Sequence, residues 1–240
     1  MHIFFSDQPG DRQFILDATE SNHLARVLRL REGDPVYVIN GNGNLYECRV
    51  ASSDNRNAVV EIVSVKNNWD QRNYSLHIAI APTKNMERFE FFVEKAVELG
   101  VDEITPLITR RTERKVFRKD RVEKIIVSAM KQSLKAKKTI LNSPVAIADF
   151  LNLPLKGQGF IAHCIDAMDV SGINEIYTPG ENVTIMIGPE GDFSAEEVTE
   201  ATGKGYQPVT MGDSRLRTET AGIVACSFIY FMNLRSGNRG

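Results

Sequence analysis

One stretch decides the fold of this chain: Val183-Thr184-Ile185-Met186-Ile187-Gly188-Pro189-Glu190-Gly191-Asp192-Phe193-Ser194-Ala195-Glu196-Glu197. Four of its first five residues are apolar and predict a buried strand, and its last four have the S-x-x-E form of a helix capping box. The turn between them is framed by glycines, which let the backbone bend sharply and approach a ligand closely. Because open α/β sheets bind ligands at the carboxyl ends of their strands, this turn is predicted to be a binding loop.

A second loop of the same kind follows further along the chain. The residues Pro208-Val209-Thr210-Met211 lead into Gly212-Asp213-Ser214-Arg215-Leu216-Arg217, after which a long apolar helix is predicted. Two strand-end loops beside each other predict a pocket. Arg217 stands at a helix start, where the helix dipole disfavours a cation. This placement indicates either a ligand-facing role for Arg217 or an ion pair with Glu190 or Glu219.

The chain after residue 73 alternates strands with helices. Apolar runs predict strands at 75–81, 104–108, 159–165, 183–187 and 207–211. Helical spacing of apolar residues predicts helices at 86–97, 121–134, 194–202 and 218–233. This alternation predicts an α/β fold with a mostly parallel sheet.

The N-terminal part of the chain has a different pattern. Short strands at 35–39, 45–50 and 58–65, separated by turn residues, predict a small β-barrel or meander. The segment 21–30 is predicted to place Leu24, Val27 and Leu28 on one helical face, which leaves Arg26 and Arg29 pointing outward. Residues 67–73 have the composition of a linker between the two parts.

The composition excludes several classes of protein. Of the 240 residues 42% are hydrophobic and 25% charged, as in ordinary soluble proteins. No apolar run reaches the roughly 18 residues of a membrane span, and the N-terminus lacks the pattern of a signal peptide, so we expect a cytoplasmic protein with no membrane partner. The three cysteines and four histidines show no metal-ligand spacing, and we expect no metal. The phosphate-binding motifs of dinucleotide-dependent dehydrogenases and P-loop enzymes are missing.

Positive charge is concentrated in one segment of the chain. The segment from Arg110 to Lys138 contains twelve Lys or Arg residues and three acidic residues. Its net charge is therefore +9, whereas the formal net charge of the whole chain is -2. Such a run is expected of a protein that contacts nucleic-acid phosphates. The alternative is a solvated helix face, and because few acids lie within the segment to pair with its bases, both interpretations stay open.

The two loops resemble those of the RsmE family of SPOUT-superfamily methyltransferases, and the resemblance extends over nearly the whole chain. Two more segments are similar to family motifs: His23-Leu24-Ala25-Arg26-Val27-Leu28-Arg29-Leu30 with Gly33-Asp34, and Glu98-Leu99-Gly100-Val101-Asp102 with Lys84, Lys95 and Pro106. The resemblance implies a smaller N-terminal PUA-like β-barrel that binds RNA, at 1–68, and a C-terminal SPOUT-type α/β trefoil-knot methyltransferase domain, at 74–240. Spacing and periodicity reveal no knot, so this expectation depends on the resemblance alone.

The resemblance also implies an activity, a cofactor and partners. The family methylates N3 of a specific uridine in small-subunit (16S) ribosomal RNA with S-adenosyl-L-methionine, so the expected substrate is this RNA or the assembled small subunit. The family is homodimeric, with a site completed by the partner chain. In this interpretation the cofactor is held by Ile187, Gly188, Gly191, Met211, Gly212 and Leu216.

The same interpretation assigns the chemistry and the RNA contacts. Arg217 is expected to stabilise negative charge on the uracil oxygens, and Glu190, Glu219 or Asp192 to accept the N3 proton or orient Arg217. Helix capping or ion pairing remains an alternative role for Glu190 and Glu219. The expected RNA contacts are Arg26, Arg29, Lys84, Arg110, Arg111, Arg114 and Lys135.

The chain departs from the family pattern in two places. The family has an arginine where this chain has Ser214, and here an arginine follows one position later, at Arg215, so the family arginine's role is not assigned to a residue of this chain. On the basic helix the family's E-Q-S-x-R is replaced by Lys131-Gln132-Ser133-Leu134-Lys135. Lys135 keeps the positive charge but loses the planar fork that binds phosphate with two hydrogen bonds.

Two alternatives to this function stay open at this point. One is a SPOUT methyltransferase that modifies another RNA position or a ribose hydroxyl. The other is a ribosome-assembly factor that binds RNA without catalysis. The intact glycine loops and Arg217 favour the enzyme.

Overall fold

The computed structural model of the protein describes residues 1–7, 10–114, 118–164 and 170–235. Within these ranges we find no helix with the length and apolar character that crossing a bilayer requires. The described residues also contain no cluster of three or more His, Cys, Asp or Glu side chains that could hold a metal ion.

The chain forms two compact units. The first contains Met1–Gln71 together with Val127–Lys138, and the second contains Arg72–Ile126 and the chain from Thr139 onward. The predicted division of roles between 1–68 and 74–240 stays a prediction.

A five-stranded sheet builds the first unit. Its strands are β1 (Ile3–Phe5), β2 (Gln13–Ile15), β3 (Pro35–Ile39), β4 (Leu45–Ser52) and β5 (Val59–Lys66), in the order β1-β3-β4-β5-β2. Only the β1–β3 pairing is parallel among the described pairings of this sheet. Side chains on one face, including Phe4, Phe14, Val36 and Val38, pack into a buried apolar core.

The short helical segment of the first unit differs from the prediction. Helix α1 (Ala18–Asn22) begins after Asp17, whose carboxylate caps it by accepting from the Glu20 amide. A π-helical turn, His23–Val27, follows. The wider turn rotates Val27 away from the buried Leu24, and Val27 is 64% exposed, so the prediction that both lie on one buried face is wrong.

A parallel sheet forms the second unit. Its strands are β6 (Leu76–Ile80), β7 (Glu103–Ile108), β8 (Ile140–Leu141), β9 (Val145–Ala146), β10 (Gln158–Ala162), β11 (Ser171–Gly172), β12 (Val183–Ile187) and β13 (Gln207–Thr210). The order is β11-β13-β10-β12-β6-β7-β8, and β9 pairs with β7. Every described pairing in this sheet is parallel, which confirms the predicted sheet type. The predicted strand at 159–165 ends at Ala162, and Ile165 lies outside the described residues.

In the described part of this region the helices are α2 (Met86–Glu98), α3 (Lys119–Ser133), α4 (Ile147–Phe150), α5 (Ile173–Ile176), α6 (Ala195–Gly203) and α7 (Thr218–Arg235). Helix α7 packs on α2, β6 and β12. A glycine makes this approach possible, since a Cβ at Gly222 would lie 2.6 Å from the ring of Phe92. The chain therefore returns from β13, beyond β10, to the middle of the sheet. The knot implied by the resemblance stays a prediction.

Candidate active site

A cleft of about 1020 Å³ lies at the carboxyl ends of β10, β12 and β13. The three strands are parallel neighbours in the order β13-β10-β12, so their carboxyl ends meet at one edge of the sheet. Residues 211–217 connect β13 to α7 and cross this edge. The cleft is thus formed by the loops that the two glycine motifs predicted, together with the end of β10, and its size suits a small-molecule site.

The first loop, 188–193, is held in a tight turn. The Asp192 amide donates to the Pro189 carbonyl at 2.9 Å, and Asp192 has φ +63°, a left-handed conformation that few residues other than glycine adopt. Both Asp192 carboxylate oxygens accept backbone hydrogens, from Cys164 at 2.8 Å and from Phe193 at 2.7 Å. Asp192 therefore connects this loop to the end of β10.

The helix after this loop begins as predicted. The Ser194 side chain accepts from the Glu197 amide, and the Glu197 carboxylate accepts from the Ser194 amide at 2.8 Å. This reciprocal pair is the predicted capping box. It fixes the point at which the loop enters α6.

The second loop, 211–217, is open towards the cleft. Gly212 has φ +112°, and a Cβ built on it would meet no atom within 4 Å. The Thr210 hydroxyl fixes the loop's start, because it accepts from the Gly212 amide at 3.2 Å. Leu216 is half-buried, while Arg215 and Arg217 are exposed. The backbone around Gly212 is therefore accessible to a ligand.

Five of the six residues predicted to hold a cofactor line the cleft: Ile187, Gly188, Met211, Gly212 and Leu216. Gly191, the sixth, is absent from the lining. Its carbonyl accepts a hydrogen bond from Arg111 instead, at 2.6 Å. The structure brings the other five together, and their contact with a cofactor stays a prediction.

The predicted catalytic residues separate into two groups. Arg217 and Glu190 line the cleft, and so does Asp192. Glu219 does not line it: its side chain is buried and lies 3.7 Å from the Arg88 guanidinium. The structure describes neither a hydrogen bond nor an ion pair of the Arg217 guanidinium, so of the two alternatives for Arg217 the ion pair with Glu190 or Glu219 is not observed among the described residues.

One hydrogen bond of Glu190 connects the first loop to the residues after β6. One Glu190 carboxylate oxygen accepts from the backbone amide of Lys84 at 3.0 Å, and the rest of the side chain is exposed. Of the acids considered, Glu190 thus combines a place in the cleft with exposure to solvent.

Sequence reasoning missed the contribution of β10. The cleft is lined by Ala162, the last residue of this strand, and by His163 and Cys164, which follow it directly. Burial lowers the pKa of His163, an effect that the nearby Asp192 carboxylate opposes. The predicted strand at 159–165 could have indicated these residues, because the carboxyl ends of parallel strands lie at the edge of the sheet where ligands bind.

The predicted RNA contacts have different environments in the structure. In the first unit Arg26 and Arg29 are exposed, whereas Lys135 forms an ion pair with Asp70 at 2.6 Å. In the second unit Lys84 pairs with Glu113, Arg110 pairs with Glu196, and the Arg114 guanidinium donates to the Lys84 carbonyl.

Acidic partners of the basic run are supplied by distant parts of the chain. Besides the pairs above, Arg121 pairs with Glu90, and Lys131 pairs with the buried Glu20. Few acids lie within the segment itself, as predicted, but acids that are distant in sequence balance part of its charge. The pair with Glu20 also accounts for the lysine at position 131. Lys115, which belongs to the same run, lies outside the described residues.

Comparisons with known proteins agree with this geometry. The family model for an RNA methyltransferase domain matches residues 70–230, and the model for an RNA methyltransferase PUA domain matches residues 16–63. Ribosomal RNA small subunit methyltransferase E of Mesomycoplasma hyopneumoniae (strain 232) is 30% identical over 232 residues, which are 93% of this chain and 96% of that protein.

Two solved structures are similar over nearly their whole length. A "probable rRNA-methyltransferase" from Porphyromonas gingivalis has a TM-score of 0.92 and 35% identity, with 99% of this chain and 100% of that chain covered. A methyltransferase from Legionella pneumophila, in complex with the bound cofactor SAM, has a TM-score of 0.84 and 29% identity, with 96% and 97% covered. The predicted fold class is confirmed, and the chain belongs to the RNA methyltransferase family of the ribosomal RNA small subunit methyltransferases E, with a PUA domain before its methyltransferase domain.

Proposed function

We propose that this chain transfers a methyl group from S-adenosyl-L-methionine to N3 of a uridine in small-subunit (16S) ribosomal RNA. The observation that carries the proposal is the cleft at the carboxyl ends of β10, β12 and β13, with Arg217 exposed at its second loop and unpaired within the described residues. Family membership supports the reaction class, and the Legionella pneumophila relative supports the cofactor.

The residues of the cleft fit such a cofactor. Ile187 and Leu216 offer apolar surface for an adenine ring, and the second loop exposes its backbone to the cleft at Gly212. The open space beside Gly212 is the kind of cradle that a Cβ would fill. When bound, S-adenosyl-L-methionine supplies an electrophilic methyl group on a positively charged sulfur.

The chain's own residues have two tasks in this reaction. They hold the uracil N3 in line with the methyl group, which removes most of the entropic cost of the encounter. They also remove the N3 proton, because a protonated N3 has no available electron pair. As the new N–CH3 bond forms, the sulfur keeps the electrons of the bond that breaks and leaves as a neutral thioether.

We assign the proton to Glu190 and the developing charge to Arg217. Removing the N3 proton leaves negative charge on the uracil oxygens, which an unpaired guanidinium in the cleft stabilises. Glu190 is the better base than Asp192, whose two carboxylate oxygens both accept backbone hydrogen bonds, and than Glu219, which does not line the cleft. Glu219 remains a candidate for orienting the start of α7.

Arg26 and Arg29 are our first candidates for phosphate contacts by the PUA domain. Both are exposed on and beside the π-helical turn, and neither guanidinium has a partner among the described residues. Lys84, Arg110 and Arg114 lie in the methyltransferase domain with their charges partly matched by acids. The affinity for RNA should therefore fall as the salt concentration rises. On single-stranded RNA, the logarithm of the binding constant should change with the logarithm of the salt concentration with a slope of about -0.7 per phosphate contact.

We further propose that a second copy of the chain covers the outer face of α7. This helix is apolar on all sides, which is typical of a buried helix, yet Phe231 and Leu234 are 60% and 52% exposed. A two-fold pairing of identical chains would bury this face. In sedimentation experiments the wild type should be a dimer and Phe231→Glu a monomer, while Ile15→Glu, at an exposed apolar position of the first unit, should stay dimeric. A monomeric wild type would contradict the proposal.

The reaction is tested by incubating the protein with S-adenosyl-L-methionine and either free 16S RNA or small subunits that lack the modification. Digestion to nucleosides followed by mass spectrometry should then show N3-methyluridine. Methylation of a ribose or another base would keep the enzyme class and change the target. Failure to bind S-adenosyl-L-methionine in calorimetry would favour a non-catalytic assembly factor.

A further inference from the structure

The first loop, 188–193, has a strained backbone conformation and carbonyl groups that need hydrogen-bond donors from other parts of the chain. Asp192 lies in the left-handed region, and the backbone carbonyls of Gly191 and Phe193 are not used by a helix or a strand. One side chain satisfies both carbonyls. The Arg111 Nη1 donates to the Gly191 carbonyl at 2.6 Å and to the Phe193 carbonyl at 3.3 Å.

The aliphatic part of Arg111 also lies along the loop. A Cβ built on Gly191 would be 3.4 Å from Arg111 Cδ and 3.5 Å from its Cβ, so the glycine leaves room for the arginine stem. Arg111 is also part of the cleft lining. The side chain therefore reaches from the end of β7 to the wall of the cleft and holds one of its loops.

The position of Arg111 is fixed by the turn that carries it. The Thr109 amide donates to the Thr112 hydroxyl at 2.9 Å, and the Thr112 amide donates to the Thr109 carbonyl at 3.2 Å. The residue before Arg111 binds the helix that follows the loop, because the Arg110 amide donates to the carboxylate of Glu197 in α6 at 2.7 Å. The turn 109–112 thus contacts this region at two points. Arg111 binds the loop itself, and Arg110 binds the helix that follows it.

We infer that Arg111 is a positioning residue of the methyltransferase site, which holds the 188–193 loop in its cofactor-binding conformation and does not serve as an RNA phosphate contact. The inference rests on the proposed function. It reassigns a residue of the basic run, whose charge pattern alone predicted a phosphate contact. Arg118, in the same run, is exposed with no side-chain partner among the described residues, so it has the properties expected of a solvent-facing base.

The test compares Arg111→Ala with Arg118→Ala, since both remove one positive charge from the same run. Calorimetry on the wild type first establishes that S-adenosyl-L-methionine binds; its failure to bind would refute the proposed function itself. Arg111→Ala should then weaken cofactor binding roughly tenfold to a hundredfold, as expected for two hydrogen bonds from a charged donor. Arg118→Ala should leave cofactor affinity within about twofold of the wild type, as expected for an exposed position.

Kinetics separate positioning from a general loss of structure. Arg111→Ala should raise KM for S-adenosyl-L-methionine while kcat at saturating cofactor stays near the wild-type value. The salt slope of RNA binding should not change. If Arg111→Ala reduced the salt slope of RNA binding by about 0.7 in magnitude and left cofactor affinity unchanged, the inference would be overturned and Arg111 would be a phosphate contact.

A second variant covers the case in which Arg111→Ala does not fold. Arg111→Lys keeps the charge but replaces the guanidinium with a single ammonium donor, which cannot reproduce the geometry of both hydrogen bonds. Its cofactor affinity should lie between those of the wild type and Arg111→Ala. Wild-type cofactor affinity of Arg111→Lys, together with a normal unfolding temperature, would overturn the inference.

Discussion

Replacing Arg217 with alanine tests the assignment of charge stabilisation in the cleft. The guanidinium is exposed and makes no described contact within the chain, so the free energy of unfolding should change by less than about 0.5 kcal/mol. In the reaction the same group stabilises the uracil anion. Loss of one such preorganised donor costs about 3–4 kcal/mol in the transition state, so kcat should fall by a factor of roughly 100 to 1000.

The assay measures transfer of a labelled methyl group to RNA in a single turnover, with cofactor binding measured separately by calorimetry. Arg217→Ala should bind S-adenosyl-L-methionine with the wild-type affinity, and Arg217→Lys should keep part of the rate because it retains a charge. Arg215→Ala is the matched control, since Arg215 is an exposed arginine of the same loop. Equal losses of rate and cofactor affinity in Arg217→Ala would refute the reasoning, and so would a wild-type rate.

Two further predictions concern the thiols and an ion pair. Cys164 is exposed in the cleft, whereas burial raises the pKa of the Cys48 and Cys226 thiols to about 12. Iodoacetamide should therefore alkylate only Cys164 in the folded protein, and bound S-adenosyl-L-methionine should slow this alkylation. A second modified cysteine in the mass spectrum would contradict the prediction. Lys131→Ala leaves Glu20 buried without its ion-pair partner and should cost about 3 kcal/mol in urea unfolding. Lys135→Ala, which breaks the more exposed pair with Asp70, should cost less than about 1 kcal/mol, and equal costs would count against the burial argument.

Local features of the fold were predictable from the sequence. The bounds of β3 and β12 agree with the predicted strands at 35–39 and 183–187, and the capping box of α6 involves the predicted Ser194 and Glu197. These features depend on residues close together in the chain, where hydrophobic periodicity and capping chemistry act directly. The two glycine loops belong to the same class, so a pocket between them could be predicted from the sequence.

Other features depend on contacts between distant residues and were not predictable. The place of β10 between β12 and β13, which brings His163 into the cleft, is a property of sheet order. The acids that pair with the basic run are far from it in sequence, and so is the Gly191 carbonyl that accepts from Arg111. The exposure of Val27 results from a π-helical turn, which a search for helical periodicity at 3.6 residues per turn cannot detect.

We propose that this cleft methylates N3 of one uridine in small-subunit ribosomal RNA. The most direct measurement is mass-spectrometric mapping of that RNA from cells with and without the gene. The proposed function predicts that one N3-methyluridine disappears on deletion and returns when the wild-type gene is restored, but not when the Arg217→Ala variant is supplied. An unchanged map of modified nucleosides after deletion would contradict the claim.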